Sequence, residues 1–251
     1  ASLTMPFMHG EHHLTTAILS ALPEEQAGLL ALLQNPERTV RAGREFWQGN
    51  MHGKPVVLAL SRIGKVAAAT TATVLVEHFG ANQILFTGVA GGLAPHVQVG
   101  DVVLGTHYIQ HDMDASPLFP RYEVPSYGLQ QFAADEAMLA SVLKAAQQIK
   151  SGSHTANAFQ IHQGLIASGD RFVSSSTEAK TLREALPNAL CVEMEGAAVA
   201  HVCYDYNIPF VAVRTVSDRA DDTAHLDFAS FIHDVAGPYA VGLVSAWLRA
   251  Q

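Results

Sequence analysis

The chain has 251 residues, of which 49% are hydrophobic and 15% are charged, and its formal net charge at pH 7 is −8. A globular protein of this length and composition buries a sizeable core without disulfides or metal. The 15 lysine and arginine residues are scattered rather than clustered, so the sequence carries no basic footprint for nucleic acid.

Residues 1–13 are predicted to form an N-terminal extension. They lack the basic start and apolar middle of a secretory signal, and no apolar run in the chain is long enough to span a bilayer. Cys191 and Cys203 lie in apolar segments, which favours buried, reduced thiols over a disulfide. His12 and His13 lack the spacing of metal ligands. We therefore expect a cytoplasmic protein with no membrane partner and no metal.

Short apolar runs of β-prone residues alternate with alanine-rich stretches from residue 14 onward. This alternation predicts a mainly parallel sheet covered by helices. The predicted strands are Leu14–Leu22, Arg44–Asn50, Val56–Ser61, Gln83–Val89, Asp101–Gln110, Ala158–Ala167, Leu190–Glu193 and Phe210–Val216. The predicted helices are Glu24–Gln34, Lys65–Phe79, Ala133–Lys150, Thr177–Ala185, Gly196–Tyr206 and Phe228–Ala250, the last kinked or restarted at Gly237-Pro238. No proline-, glycine- or serine-rich linker divides residues 14–251, which we expect to form one domain.

Ligands of an open α/β sheet bind where strands end and loops begin. Five polar segments follow predicted strands: Glu24-Glu25, Gly88–Gly92, Ser168–Phe172, Glu193–Glu195 and Arg214–Asp218. The glycine-rich segment lets a ligand approach the backbone closely, but tight turns also need glycine for structural reasons alone. It matches neither a Walker loop nor a dinucleotide fingerprint.

Two carboxylates support more specific hypotheses. Asp218 is predicted to emerge among apolar residues at the end of a strand, a setting that perturbs proton affinity and suits acid or base chemistry. The alternative is that it caps a helix. Glu195 beside Met194 suits a ribose, because a carboxylate accepts from two adjacent hydroxyls while the thioether packs against the ring. The alternative is that Glu195 only begins a helix, where its charge suits the dipole.

Seven segments, taken together and in this order, resemble the nucleoside phosphorylase/hydrolase superfamily, and most closely its bacterial methylthioadenosine/S-adenosylhomocysteine nucleosidases. The segments are Ala21–Glu25, Ser61–Val66, Thr87–Gly92, Gly100–Val103, Gly164–Asp170, Val192–Glu195 and Arg214–Asp218. The resemblance implies a three-layer αβα sandwich with a central mixed sheet, a homodimer without cofactor, and hydrolysis of the bond between adenine and a 5′-thioribose.

The resemblance also implies a function for individual residues. Asp218 is expected to protonate N7 of adenine, Glu25 to activate water, and Glu195 to bind the ribose hydroxyls. The other expected contributions are Met194 against the sugar, Glu193 tied to Arg214, Ser217 holding Asp218, Phe172 and the backbone of Val173 around the purine, and further substrate contacts from Ile63, Val89, Ala90, Gly91 and Phe228. In the segment His111–Pro120, which differs from the common family loop, Phe119 or Leu118 is expected to close the 5′ pocket across a dimer.

Breaking an N-glycosidic bond sends negative charge into the base and builds positive charge on the sugar. One carboxyl must therefore donate a proton while another, ionised, prepares water on the opposite face. A purine nucleoside phosphorylase is the nearest alternative, but Leu22–Glu25 replaces the Gly-Asp-Pro and arginine that are typical of phosphorylases, and two carboxylates repel phosphate. A non-catalytic nucleoside-binding protein is a second alternative, against which Asp218, Glu25 and Glu195 argue together. Aminofutalosine and adenosine-like substrates stay open.

Overall fold

A computed structural model describes residues 14–152, 159–224, 231 and 235–251. The predicted extension and the predicted contact Phe228 lie outside these residues. The strands are β1 (Thr16–Ser20), β2 (Gln34–Arg41), β3 (Arg44–Met51), β4 (Lys54–Leu60), β5 (Gln83–Gly92), β6 (Val102–Gln110), β7 (Gln131–Ala133), β8 (Ile161–Ser168), β9 (Ala189–Glu193) and β10 (Phe210–Asp218). The helices are α1 (Pro23–Leu30), α2 (Lys65–Glu77), α3 (Glu136–Gly152), α4 (Ser176–Ala185), α5 (Gly196–Tyr206) and α6 (Gly237–Arg249).

These strands form one sheet in the order β10-β6-β8-β9-β5-β1-β4-β3-β2, with β7 on β6. Helices cover both faces: α2 packs against α5, and α6 packs against α1 and α3. The α/β sandwich with a mixed sheet is therefore confirmed. The expectation of a mainly parallel sheet holds for the pairs β1-β4, β1-β5, β5-β10, β6-β8 and β8-β9, whereas the meander β2-β3-β4 and the pairs β5-β9, β6-β7 and β6-β10 are antiparallel.

Strand β5 also pairs with β10, so β5, β10, β6, β8 and β9 close into a ring. Parallel pairing brings the C-terminal ends of β1, β4, β5 and β10 to one edge of the sheet. The end of β9 reaches the same place, because Val192 pairs with Gly91 near the end of β5. This arrangement gathers most of the polar segments that follow strands in the sequence.

Two predicted helices have wrong boundaries. The helix predicted over Glu24–Gln34 ends at Leu30, and Gln34 begins β2, since Pro36 disfavours the helical conformation of the residue before it and Asn35 has a φ of +52°. The helix predicted over Ala133–Lys150 begins at Glu136. Ala133 instead pairs with β6 in β7, and the carboxylate of Asp135 accepts the N–H of Met138 at 2.7 Å. Helix α6 begins at Gly237-Pro238, and residues 228–230 and 232–234 of the predicted last helix lie outside the described residues.

Two polar segments expected after strands belong to the strands themselves. Gly88–Gly92 is the second half of β5 rather than a turn, and Asp218 is the last residue of β10. Glycine is required here for close approach: a Cβ on Gly88 would lie 2.6 Å from Nη1 of Arg214. The glycines of β5 therefore make room for buried polar side chains of β10. No helix in the described ranges is long and apolar enough to cross a membrane.

Candidate active site

A cavity of about 450 Å³ opens where β1, β5, β9 and β10 end. Ten predicted site residues line it: Ile63, Val89, Ala90, Gly91, Phe172, Glu193, Met194, Glu195, Ser217 and Asp218. Val173 lines a small adjoining pocket that shares Phe172, Met194 and Asp218 with the main cavity. The site prediction missed three lining residues, Ala21, Leu22 and Val192, although all three belong to the matching sequence segments.

Hydrogen bonds from Ser217 and Ala220 help to hold Asp218 at one wall of this cavity. The Ser217 hydroxyl donates to its Oδ2 at 2.7 Å, and the Ala220 N–H donates to its Oδ1 at 2.8 Å. A Cβ on Gly91 would lie 2.8 Å from Oδ1, so glycine leaves room for this carboxyl group. Residues 219–223 are not helical, so Asp218 closes a short turn rather than capping a helix. Its carboxyl group is fixed in orientation and almost entirely buried.

Glu195 lies at the N-cap position of α5, but its side chain makes no capping hydrogen bond. Its Oε2 instead accepts the Gly64 N–H at 3.2 Å, from the loop that follows β4. Burial, and then the neighbouring charge of Glu193, raise the pKa of Glu195 to about 7, while Arg214 acts in the opposite direction. The Glu195 carboxylate thus lines the cavity instead of capping α5.

A buried ion pair lies behind Glu195. Arg214 donates to Oε2 of Glu193 from Nη2 at 2.6 Å and from Nε at 3.1 Å, and its guanidinium lies 4.1 Å from the Phe86 ring centre. Glu193 also accepts the Gly196 N–H at 2.8 Å and a hydrogen bond from the Ser168 hydroxyl. Each charge is therefore compensated by partners that are themselves fixed in strands or at a helix start.

Glu25 lies behind the cavity wall formed by Ala21 and Leu22, in the first turn of α1. Burial raises its pKa from 4.5 to about 7, although the Arg214 charge and hydrogen bonds from the loop before α1 act in the opposite direction. Its Oε2 is buried without a hydrogen-bond partner among the described residues, and so is Nη1 of Arg214. An acceptor and a donor of opposite charge are thus both available beside the cavity.

The remaining predicted residue, Phe119, is half-buried and does not line the cavity of its own chain. Its neighbour Leu118 is 84% exposed. A contact across a dimer concerns another copy of the chain, so this expectation stays a prediction. Within the described part of the chain, no group of three or more His, Cys, Asp or Glu side chains is placed to hold a metal ion.

Comparisons with known proteins agree on one group. The profile of the phosphorylase superfamily matches residues 15–248. A 5′-methylthioadenosine/S-adenosylhomocysteine nucleosidase of Psychromonas ingrahamii is 39% identical over 217 residues, which cover 86% of this chain and 90% of that protein. The nucleosidase of the same name from Neisseria meningitidis, solved with methylthio-immucillin-A, has a TM-score of 0.88 at 34% identity, covering 95% of this chain and 100% of that one. The futalosine hydrolase of Helicobacter pylori has a TM-score of 0.86 at 30% identity, covering 95% and 99%.

The raised pKa of Glu25 predicts that this residue lowers stability at neutral pH. The folded state keeps the Glu25 proton up to about pH 7, whereas the unfolded chain releases it near pH 4.5, so the free energy of unfolding falls across this window. Glu25→Gln should therefore be more stable than the wild type at pH 8 by about 1–3 kcal/mol, and nearly equal to it at pH 4.5. Urea denaturation at both pH values measures the difference.

The matched control is Glu24→Gln, because Glu24 is the preceding residue of the same helical turn and is exposed. It should change stability by less than about 0.5 kcal/mol at either pH. A Glu25→Gln variant that is less stable than the wild type at pH 8 would show that the buried carboxyl group stabilises the fold, contrary to this expectation.

Proposed function

The chain belongs to the phosphorylase superfamily and, within it, to the 5′-methylthioadenosine/S-adenosylhomocysteine nucleosidases, and from this membership we propose that it hydrolyses the N-glycosidic bond of those two nucleosides. The products are adenine and a 5′-thioribose. The observation that carries the proposal is a pair of buried carboxyl groups in different surroundings, Asp218 on the cavity wall and Glu25 behind another part of that wall. Hydrolysis needs one carboxyl group that donates a proton to the base and a second, ionised one that activates water on the opposite face of the sugar.

On the purine side, Asp218 is the proposed general acid. In its protonated form it donates to N7 of adenine as the glycosidic bond breaks, and the proton neutralises the charge that flows into the base. The hydrogen bonds from Ser217 and Ala220 fix the direction of the carboxyl group before substrate arrives. Phe172 is 45% exposed at the cavity and is proposed, with Val173, to contact the purine.

On the sugar side, Glu195 is proposed to accept hydrogen bonds from the two ribose hydroxyls. Met194 lines the cavity next to it and offers an apolar surface to the ring. As the sugar gains positive charge, the negative Glu195 carboxylate is attracted more strongly, so this contact favours the transition state over the ground state. Leu22 and Ile63 add apolar lining that suits a thioether substituent.

The nucleophilic water is proposed to lie between Glu25 and Arg214. Nη1 of Arg214 donates to the water oxygen, and Oε2 of Glu25 accepts one of its protons. The oxygen attacks C1′ of the sugar while the bond from C1′ to adenine breaks. The water keeps its other proton as part of the new hydroxyl group on C1′, and the departing adenine takes its proton from Asp218. A pKa of about 7 lets Glu25 be ionised at neutral pH and still act as an effective base.

The same geometry bears on the alternatives. Among the described residues, three carboxyl groups and no lysine or arginine line the cavity, and Arg214 is paired with Glu193, so a phosphate nucleophile meets repulsion. This favours hydrolysis over phosphorolysis. A protein that only binds nucleosides has no need of Glu25, which does not line the cavity and whose burial costs stability. Aminofutalosine stays an alternative substrate, because the futalosine hydrolase, at 30% identity and a TM-score of 0.86, is nearly as similar to this chain as the Neisseria meningitidis nucleosidase, at 34% and 0.88.

A homodimer is part of the proposal, because apolar side chains are exposed next to the site. Ile63 is 73% exposed and Val66 77% exposed, and helix α2 carries no charged side chain between its first and last residues. Exposed valine and isoleucine side chains on a helix without charges along its middle are typical of a surface that another protein copy covers. A second copy that covers α2 would bring its own 111–120 loop to the cavity, with Phe119 or Leu118 as the expected contact.

Three further expectations stay predictions: a single domain over residues 14–251, a cytoplasmic location and catalysis without a cofactor. The buried, free thiols of Cys191 and Cys203 agree with a reducing compartment. The proposed proton transfers use side chains of this chain and water alone.

The first test of the mechanism is adenine release from 5′-methylthioadenosine, measured with and without phosphate. The wild type should release adenine without phosphate, and Asp218→Asn and Glu25→Gln should each lose about 10²–10⁴-fold in kcat, the usual contribution of a proton-transfer group. The control Asp205→Asn, at a partly exposed position of α5, should keep full activity. Release that requires phosphate would contradict hydrolysis.

The dimer is tested by Val66→Lys, since a lysine at this exposed position costs a monomer little but buries a charge in an interface. Sedimentation should show a dimer for the wild type and a monomer with reduced activity for the variant. Val40→Lys is the control, because Val40 is 48% exposed on β2. A wild type that is active as a monomer would rule the dimer out.

A further inference from the structure

Three loops meet next to Glu195 and are joined by charged side chains that do not line the cavity. The loops follow β4, β6 and β8. The last two contribute Asp112 and Asp170, and Lys65 is the first residue of α2, directly after the first loop. We call these three residues the loop latch. None of them was assigned a function from the sequence, since each is a single charged residue in a separate segment.

The loop latch is a closed set of contacts. Nζ of Lys65 pairs with Oδ1 of Asp112 at 2.7 Å and also donates to Oε1 of Gln110 at 3.1 Å. Oδ2 of Asp112 accepts the backbone N–H of Asp170 at 2.9 Å. Oδ1 of Asp170 accepts the backbone N–H of Lys65 at 2.7 Å. Every pair of the three loops is thus joined directly.

The contact from this set to the site passes through Gly64. Gly64 immediately precedes Lys65, and its N–H donates to Oε2 of Glu195. Its φ of +95° is open to glycine but costly for other residues, and a Cβ there would lie 3.1 Å from Oδ1 of Asp170. Two consecutive N–H groups at the start of α2 therefore bind two different carboxylates, Glu195 and Asp170.

We infer that Lys65, Asp112 and Asp170 are positioning residues that hold the Gly64 N–H against Glu195 and so align its carboxylate with the ribose hydroxyls. The inference rests on the proposed function of Glu195. Gly64 is the N-cap residue of α2 and has no side chain that could accept a hydrogen bond from the helix start. The Asp170 carboxylate, from another loop, accepts the Lys65 N–H instead and so fixes the orientation of the peptide group between Gly64 and Lys65. The Lys65–Asp112 pair is partly buried, which limits its screening by solvent.

A simple stabilising contact would leave substrate selectivity unchanged, whereas positioning of Glu195 would not. The measurement is kcat/KM for 5′-methylthioadenosine and for its 2′-deoxy analogue, which lacks one hydroxyl that Glu195 is proposed to bind. Asp170→Ala and Lys65→Met should each lower the preference for the ribonucleoside, by about tenfold for Asp170→Ala, the size of one hydrogen bond to a charged group. In a Glu195→Gln background, Asp170→Ala should change the preference no further.

Conservative variants and a distant ion pair provide the controls. Asp170→Asn keeps a carbonyl oxygen that accepts the Lys65 N–H, and Lys65→Arg keeps the charge, so both should restore most of the preference. Lys180→Met removes an exposed lysine from a pair with Glu184 on α4 and should change nothing. Urea denaturation of each variant shows whether it is folded. Asp170→Ala and Lys65→Met change different contacts of the loop latch, so each tests the inference independently of the other.

The outcomes separate the inference from the proposed function. A wild type that prefers the ribonucleoside, with Asp170→Ala and Lys65→Met that keep the same preference, would overturn the inference alone. Equal losses of kcat/KM for both substrates would also overturn the inference, because they would show a general effect on folding or on access to the cavity. A wild type that releases adenine from neither nucleoside would overturn the proposed function and the inference with it.

Discussion

The buried ion pair between Arg214 and Glu193 is the interaction on which the site depends. A guanidinium group without exposure to water is costly unless its charge is compensated, and here it is compensated by Glu193 and by the face of Phe86. Glu193 is held in turn by the start of α5 and by Ser168. The glycine at position 88 makes room for the guanidinium. Because Arg214 cannot move away, its positive charge acts on both Glu25 and Glu195 and opposes the rise in pKa that burial causes.

Carboxyl groups of the same chemical type have different surroundings in and beside the cavity, which suits the different functions proposed for them. Ser217 and Ala220 hold Asp218 at the part of the cavity wall that is proposed to face the purine. Glu25 and Glu195 are buried near Arg214, and both have a pKa of about 7. Burial of carboxyl groups that must ionise lowers stability, which is a common property of catalytic sites. The loop latch adds a second set of contacts around Glu195, since it joins three loops to the one carboxylate that is proposed to bind the ribose.

Much of the site could be predicted because polar residues at strand ends are visible in a sequence. Asp218, Glu195 and the glycines of β5 follow apolar runs, and parallel pairing brings such ends together. The mixed sheet came from the resemblance, whereas alternation of apolar runs and helices alone indicated a mainly parallel sheet. The short strand β7 and the polar strand β2 were missed, because neither has an apolar run. The burial of Glu25 and the contacts of Lys65, Asp112 and Asp170 could not be predicted. They depend on segments that are far apart in the sequence, and a local sequence pattern does not indicate such contacts.

The pH dependence of kcat/KM for 5′-methylthioadenosine tests the account most directly, because this quantity reports the ionisation of groups in the free enzyme. Glu25 and Glu195 must both be ionised for the proposed hydrolysis, and burial raises the pKa of each to about 7. The rate constant should therefore fall as the pH is lowered through about 7. A rate constant that stays level down to pH 5 would show that both carboxyl groups titrate as exposed groups do, and it would contradict the buried, Arg214-dependent site described for this protein.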